Sequence, residues 1–347
     1  MKKDAPGRLS ASSRSRLAGE GTLVNSKIAV GGAPTSNSSI NQPLFILALP
    51  RSFTSVICAM LGQHPEMYGL PEMHFFSAET IGDWLKRCER ARAPIAHGPL
   101  RAAAELIYGA QTEQTITLAQ GWLRRRSHYT TGLLLESLAE KVAPQILVDK
   151  SPSMVRRPEF LRRAYRMFPQ ARFIHLLRHP VSQGKSVMKF IQTASRTGPV
   201  PEWLLRLGGN ASRSGLFKPL ELDPQQSWYE RNLNVCEFLT SVPDSQKMQL
   251  RGEDVLTEPD LHLRHVATWL GIRTDAEAIE QMKHPERSPY ACFGPKNARA
   301  GNDPSFLSNP VLRPAQVKQE SLEGPLSWRP DGFLPKVKHL AREFGYQ

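Results

Sequence analysis

The sequence predicts an α/β protein: three layers, with a central, mainly parallel sheet flanked by helices and a nucleotide-binding edge of the phosphate-loop kind. Three observations predict it. Short apolar runs of buried-strand length recur at residues 44–49, 146–148 and 173–177. Each is followed within a few residues by a basic one: Arg51, Lys150 or Arg178. After each comes a tight, polar or proline-bearing turn and then helical apolar spacing, the alternation of a βαβ chain.

The first unit organises the rest. Residues 44–49 are far too few to cross a membrane, and the run stops at Pro50. Arg51, Ser52, Phe53, Thr54 and Ser55 follow, and Val56, Ile57, Met60 and Leu61 then recur at helical spacing up to Gly62. Strand, turn and helix in that order aim unpartnered amides of a helix N-terminus at one point, where the helix dipole is positive and phosphate is attracted. Taken alone, the stretch fits equally a Ser52 or Thr54 helix cap beside a solvated Arg51.

Pro and Gly punctuate residues 64–74, which read as a loop or short strand. If 72–74 is extended, Glu72 and His74 share a face and make an acid–base pair; the plainer alternative is two exposed polar residues on a loop. Residues 76–142 are mainly helical, with Leu85, Leu106, Trp122, Leu134 and Leu138 as apolar positions, and are expected to lie over the sheet and shape an acceptor site with the loop near 195–225.

The second strand, 146–150, ends in Lys150 and Ser151-Pro152-Ser153, with a helix from Pro158 to Phe168. The third, 172–177, ends in Arg178-His179-Pro180, and its helix carries Ser186. An arginine fork and a hydroxyl suit a phosphate dianion. In open parallel sheets ligands bind at the carboxyl edge, so three consecutive basic strand ends point to a cofactor with two anionic groups. Beyond them, 224–241 reads as helix, 248–250 as strand, and Thr257 as the cap of a helix striped by Leu263, Val266 and Leu270 and ended by Gly271. Residues 284–330 form a Pro-, Gly- and Asn-rich loop, and a helix over 335–344 closes the domain.

The chain of 347 residues is 40% hydrophobic and 22% charged, enough for a sizeable core in a domain spanning 41–347. Residues 1–40, rich in Ser, Gly, Arg and Asn, read as a disordered tail. The net charge of +13 favours an anionic partner. No zinc-finger, RNA-recognition or basic-zipper pattern appears, so no specific nucleic acid is expected. Four scattered cysteines without a Cys-x-x-Cys pair read as free thiols, and neither a secretory signal nor a transmembrane run is visible; a cytoplasmic protein is expected. No ligand cluster with metal spacing is seen either.

With these motifs in view, the chain resembles the sulfotransferases that use 3′-phosphoadenosine 5′-phosphosulfate (PAPS), from about Leu44 to the C-terminus. Pro50-Arg51-Ser52-Phe53-Thr54-Ser55 resembles the family's 5′-phosphosulfate loop, and Arg178-His179-Pro180 with Ser186 eight positions after the arginine resembles its 3′-phosphate signature. The likeness is to the tyrosylprotein sulfotransferases and bacterial relatives, which share a glutamate twenty-one residues after the loop arginine; here that is Glu72. The resemblance implies Glu72 as catalytic base with His74 the alternative, Arg51 and Lys150 as stabilisers of transition-state charge, and Ser288 as a catalytic hydroxyl. It implies that Ser52, Phe53, Thr54, Ser55, Arg178, Ser186 and Arg299 bind the nucleotide, with no metal required. A small-molecule or glycan acceptor is the implied partner, with a homodimer as the alternative to a monomer. Two departures stand out: Phe53 replaces the family's usual Gly, and Gly252 stands where Tyr precedes Glu-Asp, so that an aromatic contact to the cofactor is either missing or supplied by Trp228 or Tyr229. Two rivals remain. A phosphate-loop nucleotide kinase would need Gly-x-x-x-x-Gly-Lys-Ser/Thr, which is absent. A non-catalytic binder of polyanions would rest on net charge.

Overall fold

Five short strands form one sheet: β1 (Leu44–Leu47), β2 (Met67–Gly69), β3 (Ile146–Asp149), β4 (Arg172–Leu177) and β5 (Lys247–Arg251). Their order is β2-β3-β1-β4-β5, and every pairing is parallel. This computed structural model describes residues 42–91, 94–196, 223–313 and 320–347; the expected tail at 1–40 and most of the loop at 195–225 lie outside them.

Strand side chains alternate between two faces, and both faces are covered. Phe45, Leu47, Leu147 and Phe173 enter a core shared with α2 (Ile81–Ala91), α3 (His97–Tyr108), α4 (Glu113–Arg125), α5 (Thr131–Ala139) and α6 (Pro158–Met167). Leu44, Ile46, Val148, Ile174 and Leu176 pack on the other side against α1 (Thr54–Leu61) and helices late in the chain. The result is the expected three-layer arrangement. Ring contacts stitch the first face, with Phe45 stacked on Phe173 at 5.7 Å and edge-on to Phe76 at 5.3 Å.

The remaining helices among the described residues are α7 (Pro180–Ser195), α8 (Pro224–Leu239), α9 (Gly252–Thr257), α10 (Pro259–Leu270), α11 (Ala276–Met282), α12 (Pro304–Ser308) and α13 (Pro335–Glu343). Thr257 does not cap α10. It ends the preceding α9, Glu258 takes the cap position, and Pro259 opens the helix because its missing N–H costs nothing there. Gly271 closes α10 at φ 73°, as the stripe of Leu263, Val266 and Leu270 predicts. Among the described residues of 284–330 the chain makes two 3-10 turns and α12, where the Asp303 carboxylate accepts from the Ser305 amide.

Strand β1 is hydrogen-bonded to β3 on one side and β4 on the other. The loops that carry Arg51, Lys150 and Arg178 therefore leave three adjacent strands at one carboxyl edge.

Candidate active site

The turn after β1 is strained, and in an informative way. Arg51 (φ 68°) and Phe53 (φ 60°) both adopt the left-handed region that favours glycine, at a cost on the order of 1 kcal/mol each. No side chain caps α1, whose N-cap is Phe53 itself, so the first-turn amides are left to an anion rather than to a Ser or Thr oxygen. That outcome selects against the helix-cap alternative. Ser52, Thr54 and Ser55 are all buried in this turn.

Phe53 takes the conformation a glycine would normally hold, and its ring has a reason to be there. The Arg178 guanidinium lies 4.0 Å from the ring centroid. On the other side the ring fills the room above Gly252, where an added Cβ would fall 2.6 Å from Phe53 Cδ2. The aromatic group thus comes from the loop after β1 instead of from position 252. Trp228 and Tyr229 contact other groups. Trp228 is buried and donates Nε1–H to the Arg178 carbonyl at 3.0 Å, while Tyr229 lies against the Lys336 ammonium.

Three cations converge. Arg178 donates Nη1–H to the Arg51 carbonyl at 2.5 Å and Nε–H to Ser182 Oγ at 3.1 Å. Burial and then the nearby Arg51 pull its pKa down to about 10, although Glu253 opposes the shift. Arg51 donates Nε–H to Ser186 Oγ at 3.1 Å and pairs with Asp303 through Nη1, while Nη2 reaches Ser305 Oγ at 3.2 Å. Ser186 therefore returns to the strand edge two turns into α7, but meets Arg51 rather than Arg178. The buried Lys150 ammonium donates to Ser55 Oγ at 2.8 Å and to Glu72 Oε1 at 2.6 Å.

His179 and Pro180 build the start of α7: His179 Nδ1 accepts from the Val181 amide at 3.2 Å, and the His179 amide donates to Glu253 Oε1 at 2.8 Å. The dipeptide positions Arg178 from behind.

Glu72 and His74 meet, although not by simple extension. His74 sits at φ 55°, which turns its ring back so that Nε2 lies 3.2 Å from Glu72 Oε2 and Nδ1 lies 2.9 Å from Ser153 Oγ. Ser151 fixes this turn: its Oγ accepts from the amides of Met73 and His74 at 3.0 and 2.8 Å, and donates to Asp149 Oδ1 at 2.9 Å. Gly98 presses on the Glu72 carbonyl so closely that a Cβ there would lie 2.1 Å from it. Burial opposes the charge on Glu72, but Lys150 and the His74 hydrogen bond outweigh it and bring the pKa down to about 2. Burial raises Asp149 to about 6 against the Ser151 hydrogen bond.

Glu72, His74, Arg51 and Thr54 line one cleft of about 980 Å³, together with residues of α2, the turn Met154–Arg156, α6 and the segment from Ala300 to Pro304. The size suits a small organic molecule. None of the other expected residues is in its lining, and Ser288 and Arg299 make local contacts of their own. Ser288 closes a turn after Pro285–Arg287, with Oγ accepting from the Tyr290 amide at 3.3 Å. Arg299 is exposed, and its guanidinium lies over Phe293 at 4.8 Å because the loop folds back on itself through a Gly294 amide to Arg299 carbonyl bond. Asp303, Ser305 and Ser153 are the residues that sequence reasoning passed over. Asp303-Pro304 is a helix-start signature, but nothing in it announces a partner at Arg51.

Residues 43–276 match the family model described as the sulfotransferase family. Among solved structures, a sulfotransferase domain from the curacin biosynthetic pathway shares 22% identity at a TM-score of 0.69, over 89% of this chain and 99% of that one. A sulfotransferase domain from the olefin synthase of Synechococcus PCC 7002 also shares 22%, at a TM-score of 0.64, over 90% and 98%. Comparison with curated proteins finds no match. None of these matches supports the narrower likeness to tyrosylprotein sulfotransferases.

Proposed function

The chain belongs to the sulfotransferase family, and from that premise we propose that it moves the sulfuryl group of PAPS to a hydroxyl of a small-molecule or glycan acceptor. One observation carries the reading: at three adjacent strand ends Arg178 bonds the Arg51 carbonyl and Lys150 joins Ser55 of the phosphate loop to Glu72, which lines one cleft with Arg51.

The residues fit a nucleotide with two anionic ends. The uncapped α1 amides, with Ser52, Thr54 and Ser55, face the position of a 5′-phosphate. Arg178, bonded to Ser182, supplies the fork for a 3′-phosphate, with Ser186 held nearby on Arg51; that remote contact orients the donor and rejects nucleotides lacking it. PAPS, when bound, supplies a sulfuryl group on an activated anhydride.

Glu72 is the general base and His74 its neighbour. In the free protein, Lys150 holds Glu72 near pKa 2, too acidic to take an alcohol proton readily. With the donor bound, Lys150 would be shared between Glu72 and the oxygen that leaves with the nucleotide, so that it would stabilise the leaving charge while the less tightly paired carboxylate regained basicity. Arg51 would hold the transferring group by giving up the Asp303 carboxylate. His74, held by Ser153 on its other nitrogen, keeps Glu72 aimed into the cleft.

Retention on immobilised adenosine 3′,5′-bisphosphate but not on immobilised ATP, followed by an acceptor screen with ³⁵S-labelled PAPS read by mass, tests this. Binding to ATP in preference would favour the kinase alternative. Polyanion binding that survives Arg178→Ala, without any sulfate transfer, would favour the binder.

A further inference from the structure

Arg101 is a fully buried charge that the mechanism above does not use. It sits in α3 beside Ala102, Ala103 and Ala104. A guanidinium taken out of water is costly unless its donors are met. The groups that meet it are neutral ones. Nε donates to Gln111 Oε1 at 2.6 Å, and Gln111 in turn donates to Glu105 Oε2 at 2.9 Å. Nη1 donates to the Ala300 carbonyl at 3.2 Å and Nη2 to the Pro289 carbonyl at 3.4 Å. Burial pulls the pKa of the guanidinium below its ordinary value. An apolar side chain of like volume would fill this place in α3 at lower cost, so what the arginine adds is its fixed fork of donors.

What the fork holds lies next to the base. Ala300 has both of its backbone groups tied to α3: its amide donates to His97 Nδ1 at 3.0 Å, and its carbonyl accepts from Arg101. The next carbonyl, that of Gly301, accepts the Glu72 amide at 2.8 Å. Gly301 stands at φ 118°, and a Cβ there would fall 3.1 Å from the Gly98 Cα. Gly98 itself presses on the Glu72 carbonyl. The Glu72 backbone is therefore seated on α3 twice, directly at its carbonyl and through Ala300-Gly301 at its amide. Arg101 acts from outside the cleft, whose lining includes Ala300 and Gly301 but not Arg101.

We propose that Arg101 is a positioning residue for Glu72: by fixing Ala300 it sets the Gly301 carbonyl on which the Glu72 amide rests, and so the point at which the carboxylate enters the cleft. This rests on the reading of Glu72 as the base of sulfuryl transfer. A displacement of about 1 Å in a reacting group can cost about 10²-fold in rate, which is how a residue that touches no substrate governs turnover.

The test compares wild type with Arg101→Lys, which keeps the charge but cannot reproduce the fork. Residue-resolved amide exchange is followed by NMR on the full chain saturated with adenosine 3′,5′-bisphosphate. Exchange at the Glu72 amide should accelerate at least about tenfold, while the Met73 and His74 amides, which rest on Ser151, keep their rates. Release of ³⁵S-sulfate from labelled PAPS to water gives the second readout. Arg101→Lys should slow it about tenfold or more, leave the affinity for the bisphosphate unchanged, and have no further effect on top of Glu72→Gln. Should Arg101→Lys fail to fold, the half-buried Gln111 carries the same test. Gln111→Ala frees the Nε end of the fork and should reproduce both effects, whereas Gln111→Glu, which keeps an oxygen for Nε, should restore wild-type behaviour. Unchanged exchange at Glu72, or an equal slowing in the Glu72→Gln background, overturns the proposal and leaves the base assignment standing. Sulfate release that is indifferent to Glu72→Gln removes the base assignment, and this proposal with it.

Discussion

Lys150 Nζ lies 2.6 Å from Glu72 Oε1, and the same ammonium donates to Ser55 at the head of α1. One buried cation thus joins the base to the phosphate loop. Because this pair is almost fully desolvated on the lysine side, its worth lies in positioning more than in stability.

Glu72→Gln is expected to lower turnover by at least 10²-fold, the usual contribution of a positioned base. Affinity for adenosine 3′,5′-bisphosphate, measured by calorimetry, should not change, since the amide still occupies the same space beside Lys150. Turnover equal to wild type would transfer the role of base to His74.

Arg178→Ala removes a guanidinium that spans the Arg51 carbonyl, Ser182 and the Phe53 ring. The KM for PAPS should rise about 10- to 100-fold, the effect of one charge-assisted contact. An unaltered KM would exclude Arg178 from nucleotide binding.

Gly252→Ala drives a methyl group into Phe53 and should destabilise the protein by about 1–3 kcal/mol. The double variant Phe53→Gly with Gly252→Ala should recover most of that loss, because the methyl then occupies space the ring has left. Thermal melts of the two single variants and the double complete the cycle. Additive effects would show that the two positions do not interact.

Asp149 predicts a pH signature. Its carboxyl is raised from the ordinary value of 3.8 to about 6, because the group is buried and Oδ2 has no hydrogen-bond partner. Between those values the folded chain holds more protons here than the unfolded chain. This site's contribution to stability therefore falls as pH rises from about 4 to about 6, and is level above that. Asp149→Asn removes the ionisation. Its melting temperature relative to wild type should thus be more favourable at pH 7.5 than at pH 4.5, by the equivalent of about 2 kcal/mol. A difference that is the same at both pH values would refute the assignment.

The sheet and its basic edge were legible because local patterns determine them. The apolar runs at β1, β3 and β4 are strand-length, and each is followed by Arg51, Lys150 or Arg178 within a few residues. The meeting of Glu72 and His74 was legible from their spacing by two, although the device that turns His74 back was not. That turn depends on Ser151 receiving two amides from a segment 77 and 78 residues away in sequence. Asp303 was invisible for the same reason, being 252 residues from the guanidinium it pairs with. Ser288 and Arg299 were carried over by resemblance, and the local turns of the Pro-rich loop send them elsewhere. Thr257 failed because Pro259 fixes the start of α10 more strongly than a threonine two residues earlier.

Phe53 and Gly252 make a single fitted unit although 199 positions separate them. A chimera that joins this chain to a relative bearing glycine and tyrosine at those places, with the crossover anywhere between, inherits either two rings for one space or an empty slot beneath the arginine. Exchange of segments can succeed only where both halves of the pair travel together.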